Sequence, residues 1–100
     1  MTDIYEEWVA QFKWTITRDV LHEQMSIGPS RVGSGNNNGS VEGLSYKWRT
    51  SDEECCVHYE GYSNDNCTEA AFIPLEWSMC DTGATDIEFW DPVIGVWEYL

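Results

Sequence analysis

Apolar and polar residues alternate along much of the chain, and the longest run covers residues 8–17, with Trp, Ala, Phe, Trp and Ile at every second position. A period of two predicts a half-buried strand, and Trp, Phe, Ile and Thr favour strands. The region is also compatible with a helix, because Asp3 and Glu6 can form a capping box. The apolar residues at helical spacing are Ile4, Trp8, Val9 and Phe12. We favour a strand from Trp8 onward and leave open a short helix before it.

Six further runs of alternating residues complete the pattern. They cover residues 21–27, 44–48, 55–59, 71–77, 87–89 and 93–100. Turn residues separate these runs, and Pro74 restricts its own run to a sheet edge or a bulge, because proline cannot donate a ladder hydrogen bond. About seven short strands at this spacing predict a mainly β fold, either an antiparallel β-sandwich or a small β-barrel.

A chain of 100 residues is expected to form a single domain, residues 1–100. Its longest interruption is GSGNNNGS at residues 33–40, which has nothing to bury and is predicted to be a flexible surface loop. The loop is not a domain boundary, since neither flank is long enough to fold well alone. No apolar run is long enough to span a bilayer, so no membrane association is expected.

Charge is distributed unevenly along the chain. All five Lys and Arg residues lie in the first half, whereas residues 50–100 contain twelve acids and no Lys or Arg, which gives that half −12 of the net −13. Phosphate binding depends on Lys and Arg, so direct binding of nucleic acid or of an anionic membrane is not expected. Such charge keeps a protein soluble, and it also suits an acidic face that steers a basic partner.

Four cysteines, Cys55, Cys56, Cys67 and Cys80, lie in the second half of the chain. An even count in a short chain is typical of two disulfides, which small secreted domains use to compensate for a small core. Neighbouring strand residues point to opposite faces, so Cys55 and Cys56 should reach different partners. We favour Cys55–Cys80 with Cys56–Cys67 over the swapped pairing. A zinc site usually has pairs of cysteines two to four residues apart, which the 0, 10 and 12 intervening residues here do not match. Free thiols would indicate a cytosolic protein.

Two N-x-S/T sequons, at Asn38 and Asn66, add support for a secreted glycoprotein. Residues 1–3 do not resemble the start of a signal peptide, so a secreted chain would be a mature form with an added methionine. We therefore predict an extracellular location and glycosylation of both asparagines.

Residues 81–85, Asp-Thr-Gly-Ala-Thr, resemble the catalytic loop of the aspartic proteases, whose viral members are homodimers of short chains. That chemistry needs two carboxylates that share one proton, together with a flap hairpin and an apolar-apolar-Gly segment well downstream. Here the Val-Ile-Gly segment at residues 93–95 follows too soon to leave room for a flap. We interpret the triplet as an Asx turn in which Asp81 bonds its own backbone and Gly83 is left-handed, and we predict no enzymatic activity.

The other candidates for chemistry have plainer explanations. His22 and His58 are the only histidines, and an isolated strand histidine is typically a surface polar residue, since nucleophilic chemistry needs a third, orienting group. The number of acids permits a glycosidase-type pair but does not indicate one. Calcium at residues 64–66, or at Asp81 with Asp86, lacks EF-hand spacing. We predict no catalytic residue, no metal site and no cofactor.

Six tryptophans and five tyrosines exceed what a core of this size usually needs. They can fill the core and the sheet faces, or Trp90 and Trp97 can form an exposed aromatic platform for contact with a sugar or a protein. In the second case they would join nearby acids in one partner-binding face. The residues predicted for that face are Glu53, Glu54, Asp86, Glu88, Trp90 and Trp97.

The order of segments resembles small secreted fungal proteins of the Alternaria-allergen-like and effector-like β classes. The likeness lies in WVAQFKWTIT at residues 8–17, LSYKW at 44–48, the cysteines, and IPLEWSMC at 73–80 before an apolar-aromatic strand. The adjacent Cys55 and Cys56 depart from the pattern. The resemblance implies a secreted, disulfide-stapled β protein that acts by binding and has no catalytic residue to carry over.

Three hypotheses of function follow. The favoured one is a secreted, non-enzymatic binding protein, effector-like or allergen-like, that engages a protein partner with a basic surface as a monomer or weak dimer. The second is an intracellular acidic inhibitor, a nucleic-acid mimic that occupies a basic cleft. The third is a small hydrolase that uses carboxylates. Four free thiols in the native protein would favour the second hypothesis over the first.

Overall fold

The structure, a computed structural model, describes residues 4–25 and 28–100. Its elements in chain order are α1 (Ile4–Gln11), β1 (Trp14–Asp19), α2 (Val20–Met25), β2 (Tyr46–Ser51), β3 (Val57–Ser63), a 3₁₀-helix (Glu69–Phe72), α3 (Ile73–Thr82), β4 (Asp86–Asp91) and β5 (Val96–Tyr99). None of the helices in these two ranges is long and apolar enough to cross a bilayer.

The five strands form one antiparallel sheet with the order β1-β3-β2-β4-β5. The prediction of a mainly β, antiparallel protein is confirmed. The predicted number of about seven strands is wrong, because the second and fifth of the predicted strands are helical in the structure. The described residues build a single open sheet with helices packed against it, so the predicted β-sandwich or β-barrel is also wrong.

The N-terminal region divides into a helix and a strand. The prediction of a strand from Trp8 onward is wrong for residues 8–11, which belong to α1. It is right from Trp14, where β1 begins. The short helix that the sequence left open is therefore present, and it packs against the 3₁₀-helix. Asp3, the proposed capping residue, lies outside the described residues.

The predicted strand at residues 21–27 is wrong, because residues 20–25 form α2 and residue 27 lies outside the described ranges. The carboxylate of Asp19 accepts a hydrogen bond of 2.8 Å from the backbone N–H of His22, as an N-cap residue does. Val20 and Leu21 are buried at the start of this short helix. An aspartate just ahead of the apolar run was the signal for a helix.

The predicted edge strand at residues 71–77 is wrong, because the 3₁₀-helix leads directly into α3. Pro74 lies in the first turn of α3, where a missing N–H has no helical acceptor to lose. The fully buried residues of this segment are small and recur at helical spacing. They are Ala70, Ala71, Pro74 and Ser78. Larger apolar residues between them produced the misleading alternation.

The core lies between the sheet and α3. Its large buried side chains come from alternate positions of four strands: Trp14, Ile16, Trp48, Tyr59, Ile87 and Phe89. The indole of Trp48 lies over Gly61, its partner across β2 and β3. A Cβ atom at residue 61 would lie 2.8 Å from Cε2 of Trp48 and still closer to the carbonyl oxygen of Thr15. This position therefore requires glycine.

The loop at residues 33–40 lies along the outer edge of β1. The backbone N–H of Ile16 donates to Ser34 at 2.8 Å, and the carbonyl of Ile16 accepts from Gly33 at 2.9 Å. Asn37 donates its backbone N–H to the carbonyl of Trp14 at 3.1 Å. These bonds cover a strand edge that would otherwise expose unpaired backbone groups. The flexibility of the loop stays a prediction.

Candidate functional site

The face of the sheet opposite the core, which we call the open face, carries polar and aromatic side chains. Trp48 and Phe89 point into the core, so their neighbours along β2 and β4 point away from it. The open-face side chains of β2, β4 and β5 are Lys47, Arg49, Asp86, Glu88, Trp90, Trp97 and Tyr99. Four of the six residues predicted for partner binding therefore share one face of two neighbouring strands.

Arg49 lies at the centre of the open face. Its Nε donates to Oε1 of Glu88 at 3.1 Å, directly across β2 and β4. Its guanidinium carbon lies 4.2 Å from the ring centroid of Trp97, and Nζ of Lys47 lies 6.0 Å from the same centroid. Both distances are in the range of cation–π contacts. Glu88 and Trp97, although predicted for partner binding, are thus engaged within the protein itself.

Trp90 and Tyr99 remain available for contact on the open face. Trp90 pairs with Trp97 across the strands, with ring centroids 5.5 Å apart in an edge-to-face arrangement. Trp90 is 36% exposed and Tyr99 is 68% exposed. Tyr99 was not singled out from the sequence, although its spacing of two residues from Trp97 placed both rings on one face.

The predicted carboxylates lie toward the other end of the open face. Glu53 and Glu54 are exposed in the turn between β2 and β3, next to the end of β2 where Ser51 pairs with Asp86. Asp86 and Trp90 are four residues apart on β4, roughly 13 Å at the rise of a strand. The face is therefore acidic at one end and aromatic at the other.

A cleft of about 250 Å³ opens beside Trp90. Aromatic walls come from Tyr46, Phe89 and Trp90, and the carboxylates of Asp91 and Glu98 also line it. Aromatic rings beside carboxylates suit the apolar stem and charged end of a Lys or Arg side chain. Phe89, Asp91 and Glu98 point to the core side of the sheet, so the cleft lies behind the aromatic end of the open face and reaches the first residues of β2.

A second polar cluster lies where β3 contains a bulge. Ser51 pairs with Val57 and Thr50 pairs with Tyr59, so His58 is the extra residue on its strand. His58 is 4% exposed, and its ring packs edge-on against Tyr59 with centroids 6.5 Å apart. The prediction of a surface histidine is wrong, because alternation cannot reveal a bulge.

His58 links the turn between β2 and β3 to the end of α3. Its Nε2 lies 3.1 Å from Oδ2 of Asp52, and its Nδ1 lies 2.8 Å from Oγ1 of Thr82. The hydrogen bond to His58 lowers the pKa of the Asp52 carboxyl. The connectivity matches a nucleophile, a base and an orienting group. However, the imidazole is buried and the Thr82 hydroxyl also donates to the carbonyl of Ser78 at 3.2 Å. The cluster therefore offers little of the imidazole to a substrate and ties two segments together.

Asp81 lies in the last turn of α3 and does not form the predicted Asx turn. Gly83 follows with a φ of 77° and caps the helix, which confirms its predicted left-handed conformation. The Asp81 carboxylate accepts hydrogen bonds from Arg31 at 3.3 Å and from the hydroxyl of Tyr59. Burial of Tyr59 and its bond to Asp81 raise the pKa of Tyr59 to about 12. Asp81 thus binds groups of its own chain.

The predicted disulfides, Cys55–Cys80 and Cys56–Cys67, are not formed, and all four cysteines are free and exposed. Cys55 and Cys56 lie in the turn between β2 and β3, where Cys55 has a φ of 63°. Cys80 lies on α3. The pairing was inferred from the alternation of strand residues, which applies neither to a turn nor to a helix.

The two sequon asparagines lie in loops. Asn38 is exposed in the loop over β1, with a φ of 52°, and Asn66 is half-buried between β3 and the 3₁₀-helix. Glycosylation of either asparagine stays a prediction. Within residues 4–25 and 28–100, no three His, Cys, Asp or Glu side chains come together as a set of metal ligands.

Comparison with known proteins finds no relative, since no protein-family model, no curated protein and no solved structure matches the chain. Function is therefore inferred from the geometry of the open face and of the polar cluster at α3.

Proposed function

We propose that the protein is a non-enzymatic binding protein that engages a basic protein partner through the β4 and β5 part of its open face. The observation that carries this proposal is the exposure of two aromatic side chains, Trp90 on β4 and Tyr99 on β5, on the face that also carries Asp86. Aromatic side chains of this kind supply much of the binding energy at protein interfaces. The adjacent cleft, lined by Asp91 and Glu98, adds a place for a partner's cation.

The local charge selects a basic partner. Strands β4 and β5 together carry four acids and no Lys or Arg: Asp86, Glu88, Asp91 and Glu98. The nearest cations, Lys47 and Arg49, lie against Trp97. An acidic surface attracts a positively charged protein at long range, and the aromatic rings then supply short-range contact. The same charge opposes self-association, in keeping with a monomer or weak dimer.

The compartment decides between the first two hypotheses, and both would use this face. Secretion and an effector-like role stay proposals. The four exposed thiols support the alternative of an intracellular acidic inhibitor that occupies a basic cleft, because cysteines stay reduced in that compartment. The hypothesis of a hydrolase that uses carboxylates gains little support, since the Asp81 carboxylate is bound by Arg31 and by the hydroxyl of Tyr59.

The proposal is tested by immobilising this protein and measuring the capture of a basic protein partner. Two variants that carry the same net charge as each other are compared with the wild type. The face variant, Glu53→Gln/Glu54→Gln/Asp86→Asn, removes three charges from the acidic end of the open face. The control variant, Glu6→Gln/Glu7→Gln/Glu76→Gln, removes three exposed charges from α1 and α3. We expect the wild type and the control variant to capture the same basic protein, and the face variant to lose it.

The capture is repeated at about 0.1 M and about 1 M salt, since the Debye length falls from about 10 Å to about 3 Å. We expect the partner to be lost at the higher concentration. Equal loss in both charge variants would show that net charge, not this face, governs binding. A partner retained by the face variant at both salt concentrations would contradict the proposal.

A further inference from the structure

The two edge strands of the sheet are treated differently. The outer edge of β1 is covered by the loop at residues 33–40, which exchanges backbone hydrogen bonds with Trp14 and Ile16. Strand β5 pairs only with β4, and no described residue donates to or accepts from its other side. One edge is thus closed by the protein and the other presents free N–H and C=O groups.

The free edge is short and carries one charged residue, Glu98, but it has none of the other features that usually prevent pairing with another chain. Val96–Tyr99 contains no Lys, no Pro and no bulge, and these are the common means of protecting an edge. Apolar side chains are exposed on β5 and on the turn before it: Val93 at 90%, Ile94 at 62%, Val96 at 43% and Tyr99 at 68%. A partly apolar edge whose one charge is negative is suited to the addition of a strand that carries basic residues.

We propose that the free edge of β5 binds an extended peptide segment of the partner as a sixth strand, with Lys or Arg at alternate positions of that segment. This proposal rests on the proposed function, because it specifies how a basic partner meets β4 and β5, with its apolar side chains on the open face and its basic side chains on the opposite face. Backbone hydrogen bonds supply affinity in this mode, and alternate side chains supply specificity.

The alternation of β5 sets the chemistry of the added strand. Trp97 and Tyr99 lie on the open face, while Val96 and Glu98 lie on the other face. Apolar side chains of the added strand would contact the ring of Tyr99, and its basic side chains would lie beside Glu98 and the cleft carboxylate of Asp91. The ion pairs formed among the described residues use neither of these two acids.

A second copy of the chain fits this edge less well than a basic peptide. Each copy carries a net charge of −13, and two β5 strands side by side would bring their Glu98 carboxylates together. Like charges opposite one another destabilise strand pairing. Charge complementarity therefore selects a basic segment as the occupant.

A fluorescently labelled peptide that alternates Lys and Val provides the probe, and its affinity is measured by anisotropy with the full chain. Two N-methylated versions separate strand addition from simple charge attraction. One is methylated on the amides of the Lys residues and the other on the amides of the Val residues. Only one set of amides faces β5 in a strand, so we expect one version to bind about tenfold more weakly and the other to bind as the parent does.

Hydrogen exchange gives a second readout in the same experiment. Alternate amides of residues 96–99, those that point away from β4, should become protected when the parent peptide is added. Equal binding by both methylated peptides, without new protection, would overturn strand addition but leave the acidic face as the binding surface. A failure of the parent peptide to bind, or a dimer that pairs through β5 without peptide, would also overturn it. Binding that survives about 1 M salt would instead count against the proposed function.

Discussion

Arg49 on β2 reaches past β4 to Trp97 on β5, and its guanidinium carbon lies 4.2 Å from the centroid of the indole ring. The same guanidinium donates to Glu88 on the intervening strand. One side chain of β2 thus contacts both strands of the proposed binding region, β4 and β5. The outermost strand β5 has only four residues and depends on such contacts for its position.

A double-mutant cycle of Arg49→Met and Trp97→Leu should show a coupling free energy of about 0.5–1 kcal/mol, the usual range for an exposed cation–π contact. The free energy of unfolding in urea provides the measurement. Arg18→Met with Trp97→Leu is the control cycle, since β1 and β5 lie at opposite ends of the sheet and the two changes should be additive. Additivity in both cycles would contradict the stacked arrangement.

Gly61→Ala should destabilise the protein by about 1–3 kcal/mol, because the added methyl group would overlap the Trp48 indole and the Thr15 backbone. Gly43→Ala is the matched control. Its φ is 77° and nothing lies within 4 Å, so only the left-handed conformation costs energy, about 1 kcal/mol. Urea unfolding compares the two variants. A smaller loss at residue 61 than at residue 43 would show that Trp48 does not lie over Gly61.

The stability of the protein should fall as the pH rises from about 10 to about 12. The pKa of Tyr59 is about 12 in the folded protein, because burial and the bond to Asp81 disfavour the phenolate, against about 10 in the unfolded chain. The neutral form therefore stabilises the fold below pH 10, and this contribution is lost as the pH approaches the folded value. Absorbance of tyrosinate against pH should show a group that titrates later than the other tyrosines.

Tyr59→Phe is the control for this alkaline effect. The late-titrating group should disappear, and the decline of stability between about pH 10 and about pH 12 should become smaller. An unchanged titration curve in the variant would mean that another residue is responsible and that the bond between Tyr59 and Asp81 is absent.

All four thiols should react with a thiol reagent in the native protein, because all four are exposed. Cys67 should react most slowly at neutral pH, since its hydrogen bond to Asp65 raises the pKa of the thiol and lowers the fraction of thiolate. Asp65→Asn should accelerate the reaction of Cys67. If fewer than four thiols reacted before reduction and four reacted afterwards, the protein would contain disulfides, and the interpretation as a secreted protein would regain support.

Sequence patterns were sufficient to locate the five strands and insufficient for most of the helices. Alternation identified β2, β3 and β4 because Trp48, Tyr59 and Phe89 fill one side of a sheet whose other side is polar. The same alternation failed at residues 71–77, where the residues that fix the helix are small and the large ones are only partly buried. Pro74 was consistent with both an edge strand and a first helical turn, and only packing separates them.

The residues of the candidate sites also divide into those that the sequence pattern could predict and those that it could not. Trp90, Trp97, Asp86 and Glu88 were found together because residues two apart on a strand share a face. Partners on other strands could not be identified, so the capture of Glu88 and Trp97 by Arg49 was missed. The burial of His58 depends on a bulge, which no period in the sequence records. Long-range pairing, not local pattern, decides these features.

The measurement that tests the central claim most directly is the change of amide and indole chemical shifts when the isotopically labelled protein is titrated with the Lys–Val peptide. The account predicts shifts concentrated at residues 86–99, including the indole N–H of Trp90, with α1 and α3 unaffected. Shifts spread evenly over exposed carboxylates, or centred on Asp81 and Thr82, would contradict it.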